Sequence, residues 1–162
     1  MKKTILALII LPFAILLTSC VPKMQILETP EAKTKNIVNK SDKNSNFIKA
    51  NEWMVQTFGN AESVIQFTDK EAGIVKGKYI MKEGFVSTNV YAKSTSAYYS
   101  IITIRVKNEA SRIEIVAPSG MYSQKYMNIE YGFTPEMFNA ASDILIANFE
   151  EHMLKKSAND SW

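Results

Sequence analysis

Two runs of strict alternation, bracketed by two stretches of helical spacing, constrain this chain more than any other feature. Ile102, Ile104 and Val106 alternate with Thr103, Arg105 and Lys107, while Ile113, Ile115 and Ala117 are opposed by Arg112 and Glu114. Lys107-Asn108-Glu109-Ala110-Ser111 turns the first run into the second. Upstream, Ile65 and Phe67 alternate with Gln66 and Thr68, and Asp69-Lys70-Glu71-Ala72-Gly73 makes a hairpin turn. Val75, Gly77, Tyr79 and Met81 then share one face, with Lys76 and Lys78 on the other. Side chains of a strand alternate between faces, so this text predicts an antiparallel meander with one packed face and one wet face.

The flanks switch to period 3.6. Asn44 or Ser45 offers an N-cap, Phe47, Ala50, Met54 and Phe58 recur with Trp53 beside them, and Gly59-Asn60 supplies a stop. That predicts a helix of about four turns. A second helix starts at Thr134-Pro135-Glu136 and carries the stripe Phe138, Ala141, Leu145, Phe149 and Met153, with Lys155-Lys156 at its end. Residues 35–39 read as a short edge strand. Two amphipathic helices and one half-wet sheet satisfy each other when both helices cover the apolar sheet face, so the expected architecture is two-layer α+β.

The N-terminus reads as an export signal. Lys2 and Lys3 precede an apolar run from Ile5 to Leu17, which closes on Leu17-Thr18-Ser19-Cys20. The tetrapeptide resembles a lipobox, at which bacterial lipoproteins are lipidated on the cysteine thiol and cut just before it. Rival readings explain Cys20 poorly. The run is short for a membrane span and holds Pro12, and a lone exported thiol has no intrachain partner. Cleavage removes the first 19 of 162 residues and takes the formal charge from +3 to +1 with Lys2 and Lys3. A balanced charge argues against a nucleic-acid partner. Val21 stands where aspartate would resemble an inner-membrane retention signal, so the expected site is the outer membrane, facing the periplasm, with surface display open. Residues 20–34 hold Pro22 and Pro30, show no clear period, and read as a tether. The domain is expected over 35–156, with a tail at 157–162.

At this point a resemblance is visible. Strand, helix, four strands, helix is the order of the TBP-like fold. The residues Phe47-Ile48-Lys49-Ala50-Asn51-Glu52-Trp53, Val64 to Gly73 running into Gly77-Lys78, and Ile104-Arg105-Val106-Lys107-Asn108 resemble domain of unknown function 4468, borne by lipoproteins of gut-type Gram-negative bacteria. The resemblance spans roughly 35–153. It implies a β-α-β4-α fold with a four-to-five-stranded sheet, and a lipoprotein setting. It assigns no catalytic residue.

Catalytic chemistry is scarce in the text. The single histidine, His152, lies near the end of the last helix, where a solvated or dipole-stabilised role is the common one. No spacing suits zinc or calcium, and no cofactor is expected. Gly73-Ile74-Val75-Lys76-Gly77-Lys78 fails as a phosphate loop, having three residues between its glycines and Tyr79 after the lysine. Gly77 reads instead as a bulge or a point of close helix approach.

Two features suit binding. Lys76, Lys78, Arg105, Lys107 and Arg112 fall on the wet face. Tyr122, Tyr126 and Tyr131 crowd a connection of about fifteen residues, a length usually functional or packed by its own side chains. In the TATA-binding protein such a face grips DNA, but fold alone does not transfer function. The expectation is a non-enzymatic lipoprotein, attached to the membrane through Cys20, that binds an envelope protein, a glycan or an anionic lipid. The alternatives are an envelope hydrolase acting on glycan or peptide, with His152 beside carboxylates, and a structural docking module.

Overall fold

The computed structural model describes residues 24–59, 64–84, 96–126 and 129–155. The segment expected to be an export signal, Cys20, Lys156 and the expected tail therefore lie outside the described residues, as does most of the stretch between Met81 and Tyr98.

Five strands form the main sheet: β2 (Lys33–Val38), β3 (Ile65–Asp69), β4 (Ile74–Lys82), β5 (Tyr98–Lys107) and β6 (Ala110–Val116). Their order is β2-β6-β5-β4-β3, every pairing antiparallel. The expected meander and edge strand are thus present. Helices α1 (Lys43–Phe58) and α2 (Pro135–Leu154) contact this sheet and each other. Val75, Ile102, Ile104, Ile113 and Ile115 are fully buried together with Trp53, Met54, Phe138 and Phe149. Period two on the strands and period 3.6 on the helices meet in one core.

The helix ends follow from local chemistry. Asp42 caps α1, its carboxylate accepting from the Ser45 amide at 2.9 Å, so the cap lies two residues before the expected Asn44. The aspartate wins because its charge complements the helix N-terminus as well as bonding to it. Hydrogen bonding to Ser45, first through its backbone, holds the Asp42 carboxyl below its usual range. Gly59, in the left-handed conformation, closes the helix. Thr134 caps α2 and Pro135 fills its first turn, as expected. At Gly77 an added Cβ would meet the Met54 methyl and lie 2.9 Å from the Val64 carbonyl oxygen. The close helix approach read from the text is real.

Three readings need correction. Phe67 is 51% exposed rather than inward. The register slips between Ile65 and Phe67, and one extra residue on β3 turns Phe67 to the opposite face. The tether ends earlier than residue 34. Lys33 and Thr34 are in β2, where the Lys33 ammonium bonds Asp143 of α2 at 2.9 Å, and Lys35 approaches Glu150 at 3.5 Å. Before them, β1 (Gln25–Ile26) pairs with residues 122–123, and Leu27 packs on the core. Last, the aromatic connection is a hairpin. β7 (Tyr122–Tyr126) and β8 (Ile129–Phe133) pair with one another and with β1 in a second sheet, ordered β1-β7-β8. Gly132 is required there, with φ of 113° and the Tyr122 carbonyl against the place a Cβ would take.

Candidate functional site

Among the described residues no helix covers the second face of the main sheet, and the five predicted cations lie on it. On β4 the inward residues are Val75 and Gly77, so Lys76 and Lys78 project outward, both exposed. On β5 the same parity sends Arg105 and Lys107 out against buried Ile102, Ile104 and Val106. On β6 Arg112 and Glu114 oppose Ile113 and Ile115.

Register decides which of them are neighbours. One transverse row reads Ile74, Arg105, Arg112 and Asn36, and the next reads Lys76, Thr103, Glu114 and Thr34. Arg105 and Arg112 are therefore directly opposite, an arrangement of like charges that costs stability on an antiparallel pair. Arg112 reaches Glu114 only at 3.9 Å, and among the described residues Arg105 has no ion-pair partner. Lys76 is diagonal to Arg105. Beside the guanidinium pair, the small Ala110 sits between Val38 and Lys107 and leaves a hollow of about 450 Å³, also lined by Asn36.

The face is not simply wet. Phe67, Tyr99 and Val116 are exposed on it at 51%, 44% and 40%, and Lys78 holds its ammonium 4.2 Å from the Tyr99 ring centroid. A cation over an aromatic face is a modest attraction at such an exposed place. Charge and apolar surface are thus interleaved, which alternation within one strand did not reveal. Phe67 arrives through the bulge, and Tyr99 lies beyond the alternating run that the sequence marked.

The tyrosines lie elsewhere. Tyr122 is half-buried and Tyr131 exposed in the second sheet, apart from the cationic rows. The Tyr126 backbone belongs to β7, and its side chain is outside the described residues. The second sheet meets the main body through Tyr98, whose ring lies 5.1 Å from that of Phe133. Burial, then repulsion from Tyr122, raises the Tyr98 phenol above its ordinary pKa.

His152 is half-buried beside α1, and its pKa is lowered from 6.5. Burial is the leading cause, partly offset by Glu52, and Lys155 and Lys49 repel the charged form. Lys49, only 7% exposed, turns its ammonium to the carbonyls of Met153 and Lys155 and so closes the C-terminal end of α2. Among the described residues, no three His, Cys, Asp or Glu side chains gather as a metal site. A depressed histidine pKa stabilises the fold above 6.5 and loses that contribution as pH falls through and below this value. Lowering pH from about 7.5 to about 5.5 is expected to reduce the Tm of the parent more than that of His152→Gln. Parallel declines in a thermal-melt series would show that this histidine does not govern the response.

A model for a domain of unknown function with TBP-like fold, DUF4468, matches residues 33–119, more than half of the 162-residue chain. Two solved structures are similar. One is a DUF4468 family protein from Bacteroides ovatus ATCC 8483, with 14% identity, TM-score 0.49, and 81% of this chain and 93% of that one covered. The other is a TBP-like protein from Parabacteroides distasonis ATCC 8503, with 12% identity, TM-score 0.48, and 75% and 91% covered. No curated protein matches. With its two-helix, antiparallel-sheet architecture and the match over β2 to β6, this chain belongs to the DUF4468 family and has the TBP-like fold.

Proposed function

We propose that this protein is an outer-membrane lipoprotein, held by lipid on Cys20 and facing the periplasm, whose domain is a non-enzymatic binding module for an anionic envelope component. The observation that carries the reading is the guanidinium of Arg105, without an ion-pair partner among the described residues, directly opposite Arg112 and beside the hollow formed with Lys107 and Asn36. Two planar forks and an amide suit phosphate or carboxylate oxygens, which guanidinium groups take in pairs. An anion between them relieves their repulsion. The interleaved Phe67, Tyr99 and Val116 add apolar contact, so the ligand is amphipathic or carries sugar faces as well as charge. Acidic glycan and anionic headgroup share this chemistry.

The test compares the parent with the triple variant Lys76→Gln, Lys78→Gln, Arg105→Gln, and with Arg105→Gln, Arg112→Gln. Each is titrated with acidic glycan and with anionic vesicles at low and moderate salt. Exposed charges are screened over about 8 Å at physiological salt, so parent binding should weaken steeply as salt rises. At low salt both variants are expected to bind about tenfold or more weakly, about 1.4 kcal/mol. Equal binding by parent and variants would make the face a solvated surface without this role.

A further inference from the structure

We propose that the apolar face of the second sheet lies against the bilayer that anchors the chain, so that the domain is docked on its membrane rather than suspended above it. The inference rests on lipidation at Cys20. A tether running to residue 34 would reach roughly 50 Å, enough to clear the surface. The structure shortens it. β1 begins at Gln25, five residues after the cysteine, which limits its height above the lipidated residue to about 17 Å. That span is shorter than the width of a domain of this size, whose radius of gyration is about 14 Å, so β1 and the sheet it joins are kept at the end of the domain nearest the membrane.

The direction of the leash and the chemistry at its end agree. Gln25 pairs with Ser123 and Ile26 with Tyr122, so the chain toward Cys20 departs alongside β7 in the direction of the β7–β8 turn. Parity places Ile26, Tyr122, Gln124, Tyr131 and Phe133 on one face of this sheet, with Gln124 as its one non-aromatic polar member, and Gln25, Ser123 and Lys125 on the other. Phe133 is buried against the body, but Ile26 is 67% exposed and Tyr131 46%; Met24, just before β1, is 53% exposed. Tyrosine with aliphatic neighbours suits the membrane–water boundary, where a ring meets apolar surface and its hydroxyl meets headgroups.

The docking also orients the rest. β5 runs from Tyr98, at the second sheet, to Lys107 beside the far turns, a rise of about 30 Å. Arg105 then stands about 23 Å along that strand from the membrane-proximal end, facing partners other than the anchoring bilayer.

The only native cysteine is taken up by the lipid, so an introduced one is uniquely labelled. Full-length lipidated protein carrying Ile26→Cys, Tyr131→Cys or Lys70→Cys is purified, labelled with an environment-sensitive thiol fluorophore and reconstituted into vesicles of phosphatidylethanolamine and phosphatidylglycerol. Lys70 is exposed in the β3–β4 turn at the far end. Nitroxide lipids bearing the quencher near the headgroup are expected to quench positions 26 and 131 at least threefold more than position 70. Circular dichroism checks each variant, and two positions on different strands guard against one of them misfolding. Equal quenching at all three positions, with diacyl lipid on Cys20 confirmed by mass, overturns the docking. A blue-shifted but unquenched probe at position 26 also overturns it, since the face is then covered by protein. A free thiol at Cys20 overturns the anchoring beneath it.

Discussion

Trp53→Ala is expected to lower the unfolding free energy by about 3–5 kcal/mol, the range for removing a buried large aromatic. Trp53 is 1% exposed at the junction of both helices. Its ring meets Phe58 edge-on with centroids 5.5 Å apart and Phe149 at 5.0 Å. Its indole N–H donates to the Asn148 side-chain oxygen at 2.7 Å. Truncation removes dispersion contacts on two elements, opens a cavity, and leaves that amide without its partner. Local relaxation cannot fill the space, because Met54 is already committed to the sheet at Gly77. Urea unfolding of the mature chain by far-UV circular dichroism measures the loss. A midpoint unchanged from the parent would mean that the packing of α1 on α2 is wrongly assigned.

Cys20→Ala should have the largest effect on the protein's behaviour. The thiol is the acceptor in the reading of Leu17-Thr18-Ser19-Cys20, so the variant should take up no fatty acid, retain its signal segment, and change in detergent extraction. Each buried methylene contributes about 0.8 kcal/mol, and two acyl chains together reach on the order of 20 kcal/mol, so a parent lipidated as proposed would not desorb measurably. One acyl chain alone would bind only marginally. Metabolic labelling with a fatty-acid analogue decides the matter. Label retained by the variant would place the lipid elsewhere or remove it from the account.

Several elements were open to reading because their determinants are neighbours in sequence. The alternation of Ile102, Ile104 and Val106 is a property of six consecutive residues, and it held through burial of all three. Thr134-Pro135-Glu136 starts α2 through its own capping chemistry, whatever lies around it. The cationic face was legible for the same reason, since strand parity alone sends Lys76, Lys78, Arg105, Lys107 and Arg112 to one side.

The second sheet was not legible in that way. Tyr122, Gln124 and Tyr126 alternate with Ser123 and Lys125, but Gln124 interrupts the apolar series and Met127-Asn128 lacks the usual glycine-bearing hairpin chemistry. Its third strand is two residues long and lies almost a hundred positions away. Lys49 and Asn46 were opaque for a related reason. A lysine or asparagine in a helical stripe looks solvated until its partners are known. Here Asn46 bonds Asn39, Ser41 and the Lys107 carbonyl, and Lys49 closes the far end of α2.

Sequence by itself determined the strands and helices with strong periodicity, the N-terminal cap of α2, the covered and open faces of the main sheet, and the need for a side-chain-free position at Gly77. Tertiary structure decided the opposition of Arg105 and Arg112, the outward turn of Phe67, the burial of Lys49, and the entry of Gln25, Ile26, Lys33 and Thr34 into two sheets. Periodicity is written in residues a few positions apart. Register, bulges and the pairing of distant strands depend on which backbone groups find each other once the core closes, and that choice is made by the whole chain at once.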